Sequence, residues 1–404
     1  MPAFVFPGQG WQRSGMGRMW TDHPSWELVG DASDAAGRDI AHLLLQATDD
    51  ELTETRNAQL ATFTLSLVVL DAVERLGIEP TACAGHSLGE YAALVAAGVI
   101  GFEDGVRLVC ERGDAMQAAA DAETGVMTLV SGADAETVDI ACRLADGDVW
   151  LANDNSPTET VIAGERDAVD RAGLRAIELG ARSVRSVPVG GAFHTPFMAG
   201  ARNRVIKALR DVTFHRPEMP VVANVDGRAH TVAEGWETRL VAQLTSPVRW
   251  RQSVLRLGGL LEERSERARL FVELGPGSSL ARLAGQTLPG IRSLGVSAPD
   301  DLDGLVDAIA GDTPLHTFAA GHHGEHLYVS ERVVISPSAG VFEPVGDLVD
   351  GELGTDAVMD VGSLLGTVAG EDVRSPFTGR LMGMLAARGE RVQVGQPVAW
   401  LRVL

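Results

Sequence analysis

The segment Gly85-His86-Ser87-Leu88-Gly89 constrains the fold of this chain more than any other, because of what flanks it. Residues 81–84 (TACA) can end a strand, and residues 90–98 (EYAALVAAG) read as a helix. A serine on so sharp a strand-to-helix turn is held with its hydroxyl exposed at a helix N-terminus, where backbone N–H groups can meet an oxyanion. Ser87 is therefore a candidate nucleophile for acyl transfer; the bland alternative is a tight turn whose serine fills a polar slot. A nucleophile also needs a base, and the adjacent His86 is a poor one, since residues flanking an elbow serine point away from it. The base is expected from elsewhere in the chain.

At 404 residues and 45% hydrophobic content, the chain can bury a large core and form more than one domain. Its three cysteines, Cys83, Cys110 and Cys142, have spacings that fit neither a zinc site nor a disulfide framework. The N-terminal MPAFVFPGQG lacks the basic and apolar segments of a signal peptide, and no apolar run is long enough to span a bilayer. A formal net charge of −21 argues against nucleic acid or an anionic membrane as the main partner. These features predict a soluble, acidic, cytoplasmic protein.

From residue 1 to about 310, short apolar runs alternate with helical patterns, which predicts an α/β core on a largely parallel sheet. Strand-like residues 3–6, helix-like residues 59–76 and the elbow itself belong to it. Between residues 124 and 189 the order becomes β-α-β-β-α-β: strands at 126–130, 149–152, 160–163 and 183–187, helices at 135–144 and 166–179. That order suits a ferredoxin-like insert. The core is thus assigned to residues 1–123 and 190–310, and the insert to 124–189.

Past residue 312, glycine, valine and proline dominate and helical periodicity is lost. Ser336-Pro337-Ser338-Ala339-Gly340 is echoed by Ser375-Pro376-Phe377-Thr378-Gly379, and Val361-Gly362-Ser363 by Val394-Gly395-Gln396. Two β half-units joined by a turn near residues 369–372 are expected to form a small β domain over 327–404. Residues 311–326 form the linker, and the irregular spacing of His322, His323, Glu325 and His326 reads as part of it, so no metal is assigned.

Several further motifs stand in one order: FPGQG at 6–10, Arg112 in ERGDAMQ, NSPTETVIAG at 155–164, GAFHTPFM at 191–198, QLTSPVRW at 243–250 and FVELGPG at 271–277. Together with GHSLGE they resemble the malonyl-CoA:acyl carrier protein transacylases and the acyltransferase domains of polyketide synthases, over about residues 1–310. The resemblance implies an α/β-hydrolase-like acyltransferase core with a Ser87–His194 dyad. It implies that the Gln243 backbone carbonyl orients the histidine, and that the Leu88 and Gln9 backbone N–H groups form the oxyanion hole. Losing one such donor costs about 3 kcal/mol of transition-state stabilisation.

Chemistry supports the same assignment. A serine hydroxyl needs an imidazole to take its proton as it attacks a thioester, and the imidazolium can then protonate the departing thiolate. By the resemblance, Arg112 grips the free carboxylate of a malonyl or methylmalonyl group in a two-pronged ion pair. Phe193, a bulky aromatic next to the base, resembles malonyl-selective members, although one methyl group is worth only about 1 to 3 kcal/mol of discrimination. Glu159 stands where many relatives carry glutamine: near the pocket it would weaken carboxylate binding or engage an arginine, and facing solvent it would do neither. Coenzyme A and carrier proteins are themselves anionic, and Arg202, Arg204, Lys207 and Arg210 offer either a docking patch or an ordinary charged helix face.

The repeated tail resembles biotinyl or lipoyl carrier domains, whose hammerhead folds carry a lysine at a hairpin tip. The matching turn at residues 368–373 (VAGEDV) has none, and Lys207 is the only lysine in the chain. An amide-linked cofactor has nowhere to attach, which leaves packing, dimerisation or docking to a synthase as roles for the tail. The reading is an acyltransferase that carries malonyl from coenzyme A to the phosphopantetheine thiol of an acyl carrier protein. No bound cofactor is expected, both thioesters being substrates. The rivals are an editing thioesterase on the same fold, an acyltransferase for methylmalonyl or another dicarboxylic acyl group, and a non-catalytic scaffold.

Overall fold

The computed structural model describes residues 2–264, 270–310, 331–345 and 358–403. These fall into two compact units, one holding residues 2–70 and 79–310, the other 71–78, 331–345 and 358–403. The linker cluster His322, His323, Glu325 and His326 lies outside the described residues. Among the described residues no helix is long and apolar enough to cross a membrane.

The chain opens on β1 (Ala3–Phe6), followed by three short helices, α1 (Leu28–Ala36), α2 (Ile40–Leu45) and α3 (Asp49–Thr53), and the long α4 (Thr55–Arg75). Next come β2 (Ala82–Gly85), α5 (Gly89–Ala96) and α6 (Phe102–Ala122). Helix α6 buries Phe102, Val106, Val109, Arg112, Met116 and Ala119, three or four residues apart, so one stripe of it faces the interior. Glu103 and Asp104 occupy its first turn, where they offset the positive end of the helix dipole.

Residues 126–187 then run β3 (Val126–Ser131), α7 (Ala135–Leu144), β4 (Val149–Ser156), β5 (Glu159–Gly164), α8 (Arg166–Glu178) and β6 (Ser183–Val187). This is the β-α-β-β-α-β order that the sequence pattern predicts. The strands form one antiparallel sheet in the order β4-β5-β3-β6, and α7 and α8 close a core that includes Val138, Cys142, Ile162 and Val169. Strand β4 runs four residues beyond the predicted end at Ala152. Its polar NDNS extension is held by a parallel bridge from Asn153 to Val248 and by Arg251, whose Nε donates to both Asp154 carboxylate oxygens at 3.1 Å.

The chain continues through α9 (Arg202–Leu209), β7 (Val221–Val222), β8 (Ala229–His230), α10 (Trp236–Gln243), α11 (Trp250–Arg264), β9 (Leu270–Leu274), α12 (Ser279–Thr287), β10 (Arg292–Val296) and α13 (Asp301–Ala310). The main sheet has the order β10-β9-β1-β2-β7-β8, parallel except at β8. Its central strands AFVF, ACAG and LFVEL are buried at every residue, as expected for strands covered on both faces. Trp250, Val254, Leu257, Leu280 and Leu283 pack with Ala3, Val5, Ala84 and Phe271 in one such layer. Because Phe6 pairs with Gly85, the loops leaving β1 and β2 emerge side by side at the carboxyl edge of the sheet. Ligands of open α/β sheets bind at that edge.

The second unit contains β11 (Glu331–Ile335), β12 (Gly340–Pro344), β13 (Val358–Met359), β14 (Leu364–Val368), β15 (Glu371–Arg374), β16 (Gly379–Met384), β17 (Arg391–Val392) and β18 (Pro397–Val403). They make two four-stranded sheets, β11-β18-β16-β13 and β15-β14-β12-β17, around Phe342, Leu365, Val373, Val398 and Leu401. The sequence repeat is visible bond by bond. Ser336 Oγ donates to Ser338 O and Ser375 Oγ to Phe377 O, each at 2.7 Å. Across the halves, Gly395 N donates to Ser336 O at 2.9 Å and Gly362 N to Ser375 O at 2.7 Å. Both glycines have positive φ (80° and 87°), which explains why glycine recurs there. The expected turn is the two-residue loop Ala369-Gly370 between β14 and β15, with φ of 53° and 85°, the signs of a type I′ hairpin.

Candidate active site

Ser87 sits at the end of β2 with φ of 52°, a left-handed conformation that costs an L-residue about 1 to 2 kcal/mol. Its flanking glycines are obligatory for a different reason. A Cβ on Gly85 would lie 1.8 Å from the Gly89 carbonyl, and one on Gly89 would lie 2.1 Å from Phe6 O. The turn is thus drawn tight against β1, and His86 N donates to Phe6 O at 2.9 Å. The His86 ring engages Asn155 Oδ1 through Nε2 at 3.0 Å and leaves the serine hydroxyl to another base.

That base is His194, whose Nε2 lies 2.7 Å from Ser87 Oγ. Its Nδ1 is 2.8 Å from the Gln243 backbone oxygen, so Nδ1 carries the proton it donates there and Nε2 is left as the acceptor. The backbone of His194 is also left-handed, with φ of 61°. Burial pushes its imidazole down to about 3, and the Arg112 charge acts in the same direction. At neutral pH the ring is therefore an uncharged base.

Arg112 stands in the buried stripe of α6 and is 1% exposed. Its Nη1 donates to Gln59 Oε1 at 2.5 Å, and its Nη2 donates to Gln243 Oε1 at 2.9 Å and to Ser87 Oγ at 3.1 Å. The guanidinium also lies over the Tyr91 ring, 5.4 Å from its centroid. Every oxygen it grips is neutral. Burial makes such a charge costly until it is paired.

An acyl transferase domain family matches residues 3–311. The chain belongs to the malonyl-CoA:acyl carrier protein transacylase family. A malonyl CoA-acyl carrier protein transacylase of Escherichia coli strain K12 is 38% identical over 302 residues, covering 74% of this chain and 96% of that protein. The crystal structure of an acyl carrier protein S-malonyltransferase from Vibrio cholerae superposes with a TM-score of 0.70 at 35% identity, covering 75% of this chain and 99% of that one. A malonyl-transacylase in complex with its type II PKS acyl-carrier protein superposes with a TM-score of 0.71 at 36% identity, covering 77% and 99%.

In this transacylase fold the remaining predicted site residues line or adjoin one cavity of about 90 Å³, whose walls include Gln9, Ser87, Leu88, Arg112, Phe193 and His194. A dry cavity of about 150 Å³ holds a benzene ring, so this one suits a short acyl group. Gln9 and Leu88 bring the ends of the β1 and β2 loops together, and among the described residues neither backbone N–H donates to a protein acceptor. Phe193 is 5% exposed and forms part of the wall beside the base.

Two residues flagged in the sequence have other partners. Glu159 accepts from Arg282 Nη1 and Nη2 at 2.9 and 3.1 Å, so the arginine it engages is on α12 and not Arg112. Arg204, itself exposed, is tied to Glu111 at 2.6 Å and Asp114 at 3.1 Å; Arg202 and Lys207 are the other exposed cations of α9, and the exposed Arg210 follows its last residue.

Behind the elbow lies a layer that sequence reasoning missed. Glu90 is wholly buried; its Oε1 accepts from Asn224 N at 2.9 Å and its Oε2 from Gln243 Nε2. Asn224 Oδ1 in turn accepts from Ser87 N at 2.7 Å, and Asn224 Nδ2 donates to Gly85 O at 2.6 Å. Gln243 Nε2 also donates to Ser87 O at 2.9 Å. Gln59, the Arg112 partner on α4, was also missed and had one signal: it interrupts the apolar stripe of that helix, where an unpaired polar group would be costly.

Proposed function

We propose that this chain transfers a malonyl group from malonyl-CoA to the phosphopantetheine thiol of an acyl carrier protein through an ester on Ser87. The observation that carries the reading is the carboxylate-free Arg112 beside the Ser87–His194 pair, 3.1 Å from the nucleophile oxygen. A short acyl chain bearing a carboxylate at its far end supplies the missing anion, whereas an acetyl or fatty acyl group leaves the buried cation unpaired. Phe193 crowds the same wall and favours malonyl over a branched methylmalonyl group.

In the first half-reaction His194 Nε2 takes the Ser87 proton as Oγ attacks the thioester carbonyl. The oxyanion is met by the Gln9 and Leu88 N–H groups, which have no protein acceptor of their own. Collapse breaks the C–S bond, and the imidazolium returns its proton to the CoA thiolate. Malonyl binding also aids the base: burial holds the imidazole down, and the malonyl carboxylate offsets the Arg112 charge that adds to that effect. In the second half-reaction the carrier thiol gives its proton to His194 and attacks the ester, and the Ser87 oxygen leaves with that proton. Both thioesters are substrates, and the chemistry calls for no resident cofactor. The β unit, with Ala369-Gly370 at its hairpin tip, is assigned to packing or docking and not to carrying an acyl or carboxyl group.

Incubation with malonyl-CoA followed by intact-mass measurement tests the reading. One malonyl adduct is expected on the wild-type chain and none on Ser87→Ala; an adduct that survives in Ser87→Ala would refute the assignment.

A further inference from the structure

We propose that Glu90 is a positioning residue that fixes acyl selectivity by holding the Gln243 side-chain amide in the one orientation that serves Arg112. The proposal deepens the malonyl reading and rests on it.

Glu90 presents two acceptor oxygens, one taken by the main-chain N–H of Asn224 and the other by Gln243 Nε2. With its Nε2 committed to Glu90 and to Ser87 O, Gln243 turns Oε1 toward Arg112 Nη2 at 2.9 Å. The flipped amide would set an NH₂ group against a guanidinium, two donors facing each other in a buried site. The Glu90 carboxylate therefore selects the rotamer, and Gln243 passes the choice on to the arginine. The backbone carbonyl of Gln243, which orients His194, takes no part in the flip. Loss of the Gln243 Nε2 bond to Ser87 O would fall alike on every acyl group, whereas recognition of the acyl carboxylate depends on Arg112 and, through Gln243, on Glu90.

In Glu90→Gln the Asn224 N–H still requires the oxygen, so the new NH₂ must face Gln243 Nε2. Either the two donors separate or Gln243 flips and withdraws its oxygen from Arg112. Acid does the same to the native residue, since a protonated carboxyl presents a hydrogen to one of its two donors. Burial raises Glu90 to about 7, against the pull of Arg112 on α6 and with a smaller push from Asp226 after β7. Asn224 and Gln243, its other neighbours from the β7 turn and α10, are uncharged.

The test is the rate of Ser87 acylation by malonyl-CoA and by acetyl-CoA, each as kcat/KM, in the wild type and in Glu90→Gln. The malonyl value is expected to fall about 10- to 100-fold further than the acetyl value, the scale of a hydrogen bond to a charged group. The wild type supplies a second reading without any substitution: its malonyl-to-acetyl ratio should fall as pH drops from 8.5 to 6, with a midpoint near the Glu90 value of about 7. Because kcat/KM reports titrations of the free enzyme, His194 and the coenzyme A phosphates are common to both substrates and cancel in the ratio. Equal losses on both substrates, an unchanged ratio, or a ratio that rises in acid would overturn the relay. A wild type that accepts acetyl and refuses malonyl would refute the malonyl reading itself, whereas a malonyl-preferring wild type whose ratio survives in Glu90→Gln refutes the relay alone.

Discussion

The two units of this molecule each hold non-glycine residues in the left-handed backbone region, and the contrast between them separates strain that serves chemistry from strain that serves a turn. In the α/β unit these are Ser87 and His194, and in the β unit Ala369; among the described residues there are no others. Ala369 is followed by a glycine and has no polar side chain to aim, so its conformation closes a hairpin and nothing more. Ser87 and His194 lie 107 residues apart, yet their left-handed turns bring Oγ and Nε2 to 2.7 Å. Main-chain strain marks a functional site here because the surroundings over-determine it: Asn224 and Gln243 hold both polar groups of the Ser87 peptide unit.

The sharpest way to break the contrast is Ser87→Gly. Glycine removes the backbone penalty along with the nucleophile, so acylation should fall by about 10⁶-fold while stability rises by about 1 kcal/mol, as read by adduct formation and by denaturant unfolding. Next comes Arg112→Ala. It should lower kcat/KM for malonyl-CoA by about 10²- to 10³-fold, the worth of a charge-assisted pair at about 1.4 kcal/mol per decade, and acetyl-CoA acylation by less than tenfold.

A smaller effect concerns the base. With the folded imidazole held down at about 3, His194 stays in its neutral, proton-accepting form well below the ordinary histidine value of 6.5. Acylation by acetyl-CoA should therefore change by less than about threefold between pH 8 and pH 5. A stopped-flow pH profile with an acid limb near 6.5 would place the ring in a wetter setting than this one. Smallest of all is Ala369→Gly, which should stabilise the β unit by about 0.5 to 1 kcal/mol in thermal unfolding and leave acylation unchanged.

The legible parts of the fold were those in which a local pattern carries its own partner. Strands β1 and β6 and helix α7 have the limits that the pattern predicts, and the tail repeat foretold which serines and glycines would play matching roles. The serine, histidine and arginine that meet at the site, Ser87, His194 and Arg112, could be named from their motifs. The polar end of β4 could not, because its NDNS residues have low strand propensity and are held by Val248 and Arg251, about 95 residues away. Glu90 was hidden for a different reason. A glutamate in the first turn of a helix ordinarily reads as a solvated partner of the helix dipole, and only the fold shows that Asn224 and Gln243 reach it from 134 and 153 residues away.

On this reading the Ser87 ester waits for a thiol and not for water. A single-turnover chase tests it: the chain is loaded with isotopically labelled malonyl-CoA, freed of coenzyme A, and mixed with a phosphopantetheinylated acyl carrier protein. Label is predicted to leave Ser87 on addition of the carrier and to appear on its thiol, with an adduct that persists when the carrier is withheld. Release of labelled malonate at the same rate with and without the carrier would contradict the account and identify a hydrolase.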